Sequence, residues 1–132
     1  MKPYLISLLM LISNSVWADW VEVQSTSSGI NFYIDFASVK VEGTKRKAWE
    51  LKNFSTLQSV GGYDYWSMRS RVEFDCKDER YRILTLTAFS KLNADGNALM
   101  THDEPTKWVD LAPYTAGLNI LKMVCKITAN SR

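Results

Sequence analysis

Cysteine and histidine are scarce in this chain, and their scarcity limits its chemistry. Among 132 residues there are two cysteines, Cys76 and Cys125, and one histidine, His102. These residues do not provide the four suitably spaced ligands of a structural zinc site. His102 stands in the polar stretch THDEP, where no neighbouring element would aim it at a nucleophile. We therefore expect a protein that is not an enzyme and that binds no metal and no other cofactor.

An excess of charge of one sign is also missing. Lysine and arginine together number 16, against 14 aspartate and glutamate residues, so the formal net charge is +2. Such a balance gives no reason to expect nucleic acid or an anionic membrane as a partner. The densest basic run, residues 45–47, fits a solvated strand end better than an anion-binding site.

Long apolar runs are absent except near the N-terminus. The apolar run there covers residues 4–12 and is shorter than the roughly 20 residues that span a bilayer. Lys2 precedes it and Val16-x-Ala18 follows it, which is the pattern of a secretory signal peptide rather than of a membrane anchor. We predict a signal peptide at residues 1–18 and one domain at residues 19–132.

The predicted cleavage site has consequences for location. No cysteine lies near Ala18, so we expect no lipid anchor and no stable membrane insertion after cleavage. The mature chain should be exported to the periplasm, to the cell surface or out of the cell. In such oxidising compartments cysteines usually pair, and two cysteines can pair in one way, Cys76 with Cys125. Two buried free thiols are the less favoured alternative.

Alternation of apolar and polar residues with a period of two dominates the mature chain and predicts antiparallel strands. Helical periodicity runs from the N-cap Thr115 to about Ile127. Cys76 falls on the apolar side of its strand and Cys125 on the apolar side of the helix, so the disulfide would pin one to the other. The expected fold is α+β, a single antiparallel β-sheet of about five to six strands with a C-terminal α-helix packed on it. The strands are expected near residues 20–23, 30–36, 45–55, 65–76, 80–90 and 98–101.

Several short motifs occur in a recognisable order. They are FYID (residues 32–35), AWEL (48–51), EFDCK (73–77) followed by Arg82, Trp108 followed by PYT (113–115), and Cys125. Together they resemble the bacterial surface-adhesin protein E domain. The resemblance implies an antiparallel sheet with a disulfide-bonded C-terminal helix, on exported proteins of Gram-negative bacteria whose founding member is a surface adhesin for host proteins. The founding type is lipid-anchored, whereas no cysteine follows this signal peptide, which favours a periplasmic location.

Two functions follow as hypotheses. The first is an exported, non-enzymatic binding module that resembles surface-adhesin protein E and binds host or envelope proteins. The alternative is a periplasmic structural or accessory subunit, or an inhibitor, of an envelope assembly with no adhesion role.

Two neighbouring strands suggest where a partner would bind. Their alternation should bring arginines and aromatics, a mixture enriched in protein interfaces, onto one outer face of the sheet. The residues are Arg69, Arg71, Tyr81, Ile83 and Phe89. We predict that this face binds a host-matrix or envelope protein, or a second copy of the chain in a homodimer.

The remaining aromatic and apolar residues give further expectations. We predict that Trp49 and Trp66 belong to the core, while Trp108 is open to either interpretation. Asp35 is expected to hydrogen-bond its local backbone rather than a ligand. Apolar residues cover more of the helix than one sheet contact requires, so part of its surface should meet something else.

Overall fold

The computed structural model describes residues 18–129 of the chain. Residues 1–17 of the predicted signal peptide lie outside this range. Within it, no helix is long and apolar enough to cross a membrane. The elements are β1 (Val21–Ser25), β2 (Ile30–Glu42), β3 (Lys45–Val60), β4 (Tyr63–Asp75), β5 (Arg80–Phe89), β6 (Ala98–His102), β7 (Val109–Asp110) and the helix α1 (Ala116–Cys125).

The described strands form one antiparallel sheet in the order β1-β2-β3-β4-β5-β6. From β1 to β6, strands that are consecutive in the sequence are neighbours in the sheet; the connections up to β5 are short turns, and the longer loop at residues 90–97 joins β5 to β6. The two-residue β7 pairs with the Arg80 end of β5, while β6 pairs with the other end of the same strand. The α+β prediction is confirmed, and the short β7 accounts for the strand beyond the expected five to six.

The helix α1 covers one side of the sheet, here called the helix face. Its N-cap is Thr115, whose hydroxyl accepts a hydrogen bond from the backbone N–H of Leu118 at 3.3 Å, as the sequence predicted. One core forms between helix and sheet. Its buried residues are Ile34, Val39, Ala48, Val72, Phe74, Leu118, Ile120, Leu121 and Val124.

The surplus apolar surface expected on the helix is mostly covered by the chain itself. Ile120 is 1% exposed, and Ile127 is half-buried against the core. Leu111, which precedes the helix, packs closely against its first turn: a Cβ atom built on Gly117 would lie 2.7 Å from the Leu111 side chain. Among the apolar residues of α1, Met123 is the most exposed, at 36%.

The disulfide joins the sheet to the helix as predicted. Cys76 directly follows β4 and Cys125 is the last residue of α1, and their Cα atoms are 5.9 Å apart. The chain after the helix is held by a second contact, in which Arg46 Nε donates to the carbonyl oxygen of Ile127 at 2.8 Å. Arg46 is only 8% exposed. The interpretation of residues 45–47 as a solvated strand end is therefore wrong for this arginine.

A β-bulge divides β5 into two halves with opposite side-chain orientation. Val72 lies opposite Ile83, but the adjacent Arg71 lies opposite Thr85, so Leu84 is an extra residue in β5. Side chains of a strand alternate between faces, and one inserted residue reverses the alternation beyond it. Residues 81 and 83 therefore share the helix face with Val72, whereas residues 85, 87 and 89 lie on the other side.

Candidate functional site

The side of the sheet opposite α1, here called the arginine face, carries Trp49 of β3, Arg69 and Arg71 of β4, and Arg80 and Arg82 of β5. The register fixes their arrangement, since Trp49 lies opposite Arg71 and Arg80 opposite Asp75. Because neighbouring strands lie about 5 Å apart, long side chains on adjacent strands are within reach of each other across the sheet, as Trp49 and Arg71 are.

Arg69 is stacked between two aromatic rings. Its Cζ atom lies 5.4 Å from the ring centroid of Trp49 and 5.2 Å from that of Phe89. The Cζ atom of Arg71 lies 5.7 Å from the same Trp49 ring. Cation–π contacts of this kind hold a guanidinium in place without consuming its hydrogen-bond donors.

Neither guanidinium forms an ion pair with a carboxylate of the described residues. The Nε atom of Arg69 is buried and has no hydrogen-bond partner within this part of the chain. An unsatisfied buried donor is costly. Arg69 and Arg71 therefore retain positive charge that no carboxylate of the described residues neutralises.

The other two arginines of the face are already neutralised. Arg82 Nε donates to Glu73 Oε1 at 2.7 Å, and Arg80 Nε donates to Asp75 Oδ2 at 2.9 Å. The ring of Trp108 lies over both guanidinium groups, 4.8 Å from Arg80 and 4.7 Å from Arg82. In this part of the face the charges are satisfied internally. Trp108, which the sequence left open, packs on this cluster and not in the main core.

Asp75 is the most enclosed carboxylate of that cluster. It is 3% exposed, and burial alone would raise the pKa of its carboxyl. Hydrogen bonds from the Asp78 and Lys77 backbone and from Arg80, with the charge of Arg80, outweigh burial and hold this pKa below its ordinary value of 3.8. The carboxylate fixes the 76–79 turn that contains Cys76.

We expect Asp75→Asn to lower the free energy of unfolding at neutral pH by about 2 kcal/mol, because a neutral amide loses the charge-assisted hydrogen bonds. A carboxyl with a lowered pKa stabilises the fold above its ordinary pKa, and this stabilisation is lost as the pH falls through 3.8 towards the folded-state value. Urea unfolding should show that the difference in unfolding free energy between wild type and Asp75→Asn is smaller at acidic pH than at neutral pH. Asp78→Asn is the matched control because Asp78 is exposed and 3.8 Å from Arg80. A difference in unfolding free energy that does not change with pH would contradict the lowered pKa of Asp75.

One end of the arginine face is covered by the loop at residues 90–97. Asn53 donates to the Asn93 side chain at 2.8 Å, and Ser67 donates to the Lys91 carbonyl at 2.6 Å. Phe89 is only 7% exposed at this end. The accessible part of the face is therefore centred on Trp49, Arg69 and Arg71.

A cleft of about 500 Å³ opens beside this accessible part. It is lined by Trp20, Asp35, Ser38, Trp49 and Arg69, among others. Asp35 Oδ1 accepts a hydrogen bond from the backbone N–H of Ala37 at 3.2 Å, which confirms the local bond expected for it. The cleft adds a second tryptophan and an apolar wall to the arginine pair.

The structure separates the five residues that the sequence analysis placed on one face. Arg69, Arg71 and Phe89 lie on the arginine face. Tyr81 and Ile83 lie on the helix face, where Tyr81 packs against the core, so their assignment to the outer face is wrong. The cause is the bulge at Leu84, because the prediction assumed unbroken alternation through β5.

Sequence reasoning missed Trp49 as a surface residue. Trp49 and Leu51 do share one face, as the alternation predicted, but that face is opposite the helix core, and Trp49 is half-buried. Trp66 is also only half-buried. The small Ala48, not Trp49, points into the core. Nothing in the sequence near these residues indicates which face of β3 meets the helix.

Comparison with known proteins adds a family and a fold. The family model for surface-adhesin protein E matches residues 20–126. Two structures of Haemophilus influenzae protein E, the selenomethionine form and crystal form II, each give a TM-score of 0.64 at 15% sequence identity; they cover 84% of this chain and 88% and 90% of theirs. Protein E from non-typeable Haemophilus influenzae gives a TM-score of 0.56 at 15% identity, over 86% of this chain and 79% of that one. No curated protein sequence matches the chain.

Proposed function

Because this chain belongs to the surface-adhesin protein E family, we propose that it is an exported, non-enzymatic module that binds a protein partner through the arginine face. The family supports an adhesin-like surface protein. The observation that carries the choice of face is the pair of guanidinium groups, Arg69 and Arg71, stacked on Trp49 without carboxylate partners among the described residues.

The chemistry of the pair indicates the kind of partner surface. A guanidinium presents a planar fork of donors that binds a carboxylate through two parallel hydrogen bonds. Tryptophan and arginine are also the residues that most often dominate the energetics of protein interfaces. We therefore propose a partner, or a second copy of the chain, that presents aspartate or glutamate next to an apolar group for the cleft beside Trp49.

The test compares two charge reversals on opposite sides of the sheet. Mature protein is immobilised and exposed to extracts of host extracellular matrix and of the bacterial envelope, and affinity for each captured protein is then measured by biolayer interferometry. Arg71→Glu should weaken binding by about thirtyfold, the loss typical of an interface hot spot. Lys122→Glu makes the same change of charge on the exposed side of α1 and should leave the affinity unchanged.

Two further measurements test whether the partner is a second copy of the chain and whether the Trp49 ring contributes to binding. Light scattering on both variants tests self-association, which Arg71→Glu should abolish if the partner is a second copy. Trp49→Ala should also weaken binding, since it removes the ring on which both arginines stack. If Arg71→Glu and Trp49→Ala fold and keep the wild-type mass and affinity, the arginine face is not the binding surface.

A further inference from the structure

A second cavity lies on the other side of the sheet, between the helix face and the segment that leads into α1. Its volume is about 320 Å³. Its lining includes Phe32, Glu50, Phe74, Tyr81, Leu111 and Ile120. The sheet separates this cavity from the arginine face, so it is independent of the proposed protein-binding function.

Glu50 is the unusual group in this apolar lining. It stands in the middle of β3 and is only 7% exposed, and burial raises the pKa of its carboxyl above 4.5. No group of residues 18–129 donates a hydrogen bond to its side chain, and the ammonium of Lys52 lies 3.9 Å from Oε1, beyond hydrogen-bond reach. The cost of removing a carboxylate from water can exceed what a single ion pair at this distance returns, so the pair with Lys52 gives little reason in stability alone for a carboxyl at this position.

The surroundings of Glu50 favour a positively charged ligand. The rings of Phe32, Phe74 and Tyr81 line the cavity, and aromatic faces attract cations. Phe32 already does so, since the Lys52 ammonium lies 5.4 Å from its ring centroid. The Lys52 side chain is 26% exposed, so its ammonium has access to water, whereas the carboxyl of Glu50 has little.

We propose that this cavity binds a small organic cation, with a primary ammonium group that donates hydrogen bonds to the Glu50 carboxylate and an aromatic or aliphatic body that packs against Phe74 and Tyr81. The carboxylate has several free acceptor sites, and a ligand ammonium fills them at close range. An anionic ligand would pair with Lys52 instead but would face the charge of Glu50.

The test uses 2-phenylethylamine as the probe on the mature chain, with 3-phenylpropionate and 2-phenylethanol as anionic and neutral probes of similar shape. Binding is followed by two-dimensional NMR titration. The amine should bind more tightly than either analogue and should shift resonances of Phe32, Tyr81 and Ile120. Glu50→Gln should weaken amine binding by about tenfold or more, the loss expected for a hydrogen bond to a charged group. Glu22→Gln, the same change at an exposed position of β1, should not alter it.

A pH series on the wild-type protein provides a second measurement that does not depend on folding of the variant. Amine affinity should fall as acid protonates Glu50 and removes its charge. The other charged or titratable groups that face the cavity are Lys52, Tyr81 and Asp110, while β2 and α1 contribute the uncharged Phe32, Gly117 and Ile120. The proposal is overturned if Glu50→Gln binds the amine as wild type does, if 3-phenylpropionate is preferred, or if no probe shifts the cavity resonances.

Discussion

Replacing Cys76 and Cys125 together by serine lowers the free energy of unfolding by about 4 kcal/mol, the largest effect that we expect from any paired substitution in this chain. The disulfide closes a loop with a sequence separation of 49 residues, and opening that loop returns conformational freedom to the unfolded chain. For a domain of this size the loss corresponds to a melting temperature lower by about 15 °C. Urea and thermal unfolding of residues 19–132 measure both quantities.

Reduction of the wild-type protein supplies the matched control for the disulfide. Dithiothreitol should lower wild-type stability to that of the double serine variant and should leave the variant itself unchanged. Free thiols in the untreated protein, or a stability loss below about 1 kcal/mol, would contradict a structural disulfide of the expected strength.

The features that the sequence predicted correctly depend on local or compositional signals. Thr115 is an N-cap because a hydroxyl beside free backbone N–H groups satisfies one of them wherever the helix lies. The pairing of Cys76 with Cys125 needs only an oxidising compartment and the absence of competing cysteines. Alternation gave the main strands because each has an apolar side that must be buried.

The features that the sequence did not predict depend on pairing between strands. Leu84 has no local mark of a bulge, and it is an extra residue only because of the register between β4 and β5. That one residue moved Tyr81 and Ile83 to the helix face. Trp49 was misplaced for a related reason, since alternation groups it with Leu51 but does not state which side α1 covers.

The central strand β3 shows how one alternating sequence supplies two different surfaces. Trp49 contributes to the arginine face, where its ring supports two guanidinium groups that form no ion pair within residues 18–129. The next residue, Glu50, points to the helix face and into the apolar cavity. The two proposed sites therefore lie back to back across one strand, and the Arg71 and Glu50 variants test them separately.

Ile120→Ala should lower the free energy of unfolding by about 3 kcal/mol, because it removes buried methyl and methylene groups and leaves a cavity between α1 and the sheet. Ile120 is 1% exposed and belongs to the main core cluster. It also lines the cavity beside Glu50, so the truncation enlarges a space that already exists. Urea unfolding at equilibrium, with the disulfide intact, measures the change.

Met123→Ala on the same helix is the control for this truncation. Met123 is 36% exposed, and alanine has a higher helix propensity, so its replacement should change stability by about 0.5 kcal/mol or less. A large loss of unfolding free energy from Ile120→Ala with little change from Met123→Ala would mean that the chain itself covers the apolar residues of α1. Equal losses from both variants in a self-associating protein would instead mean that a second copy buries Met123, and light scattering on the two variants separates these outcomes.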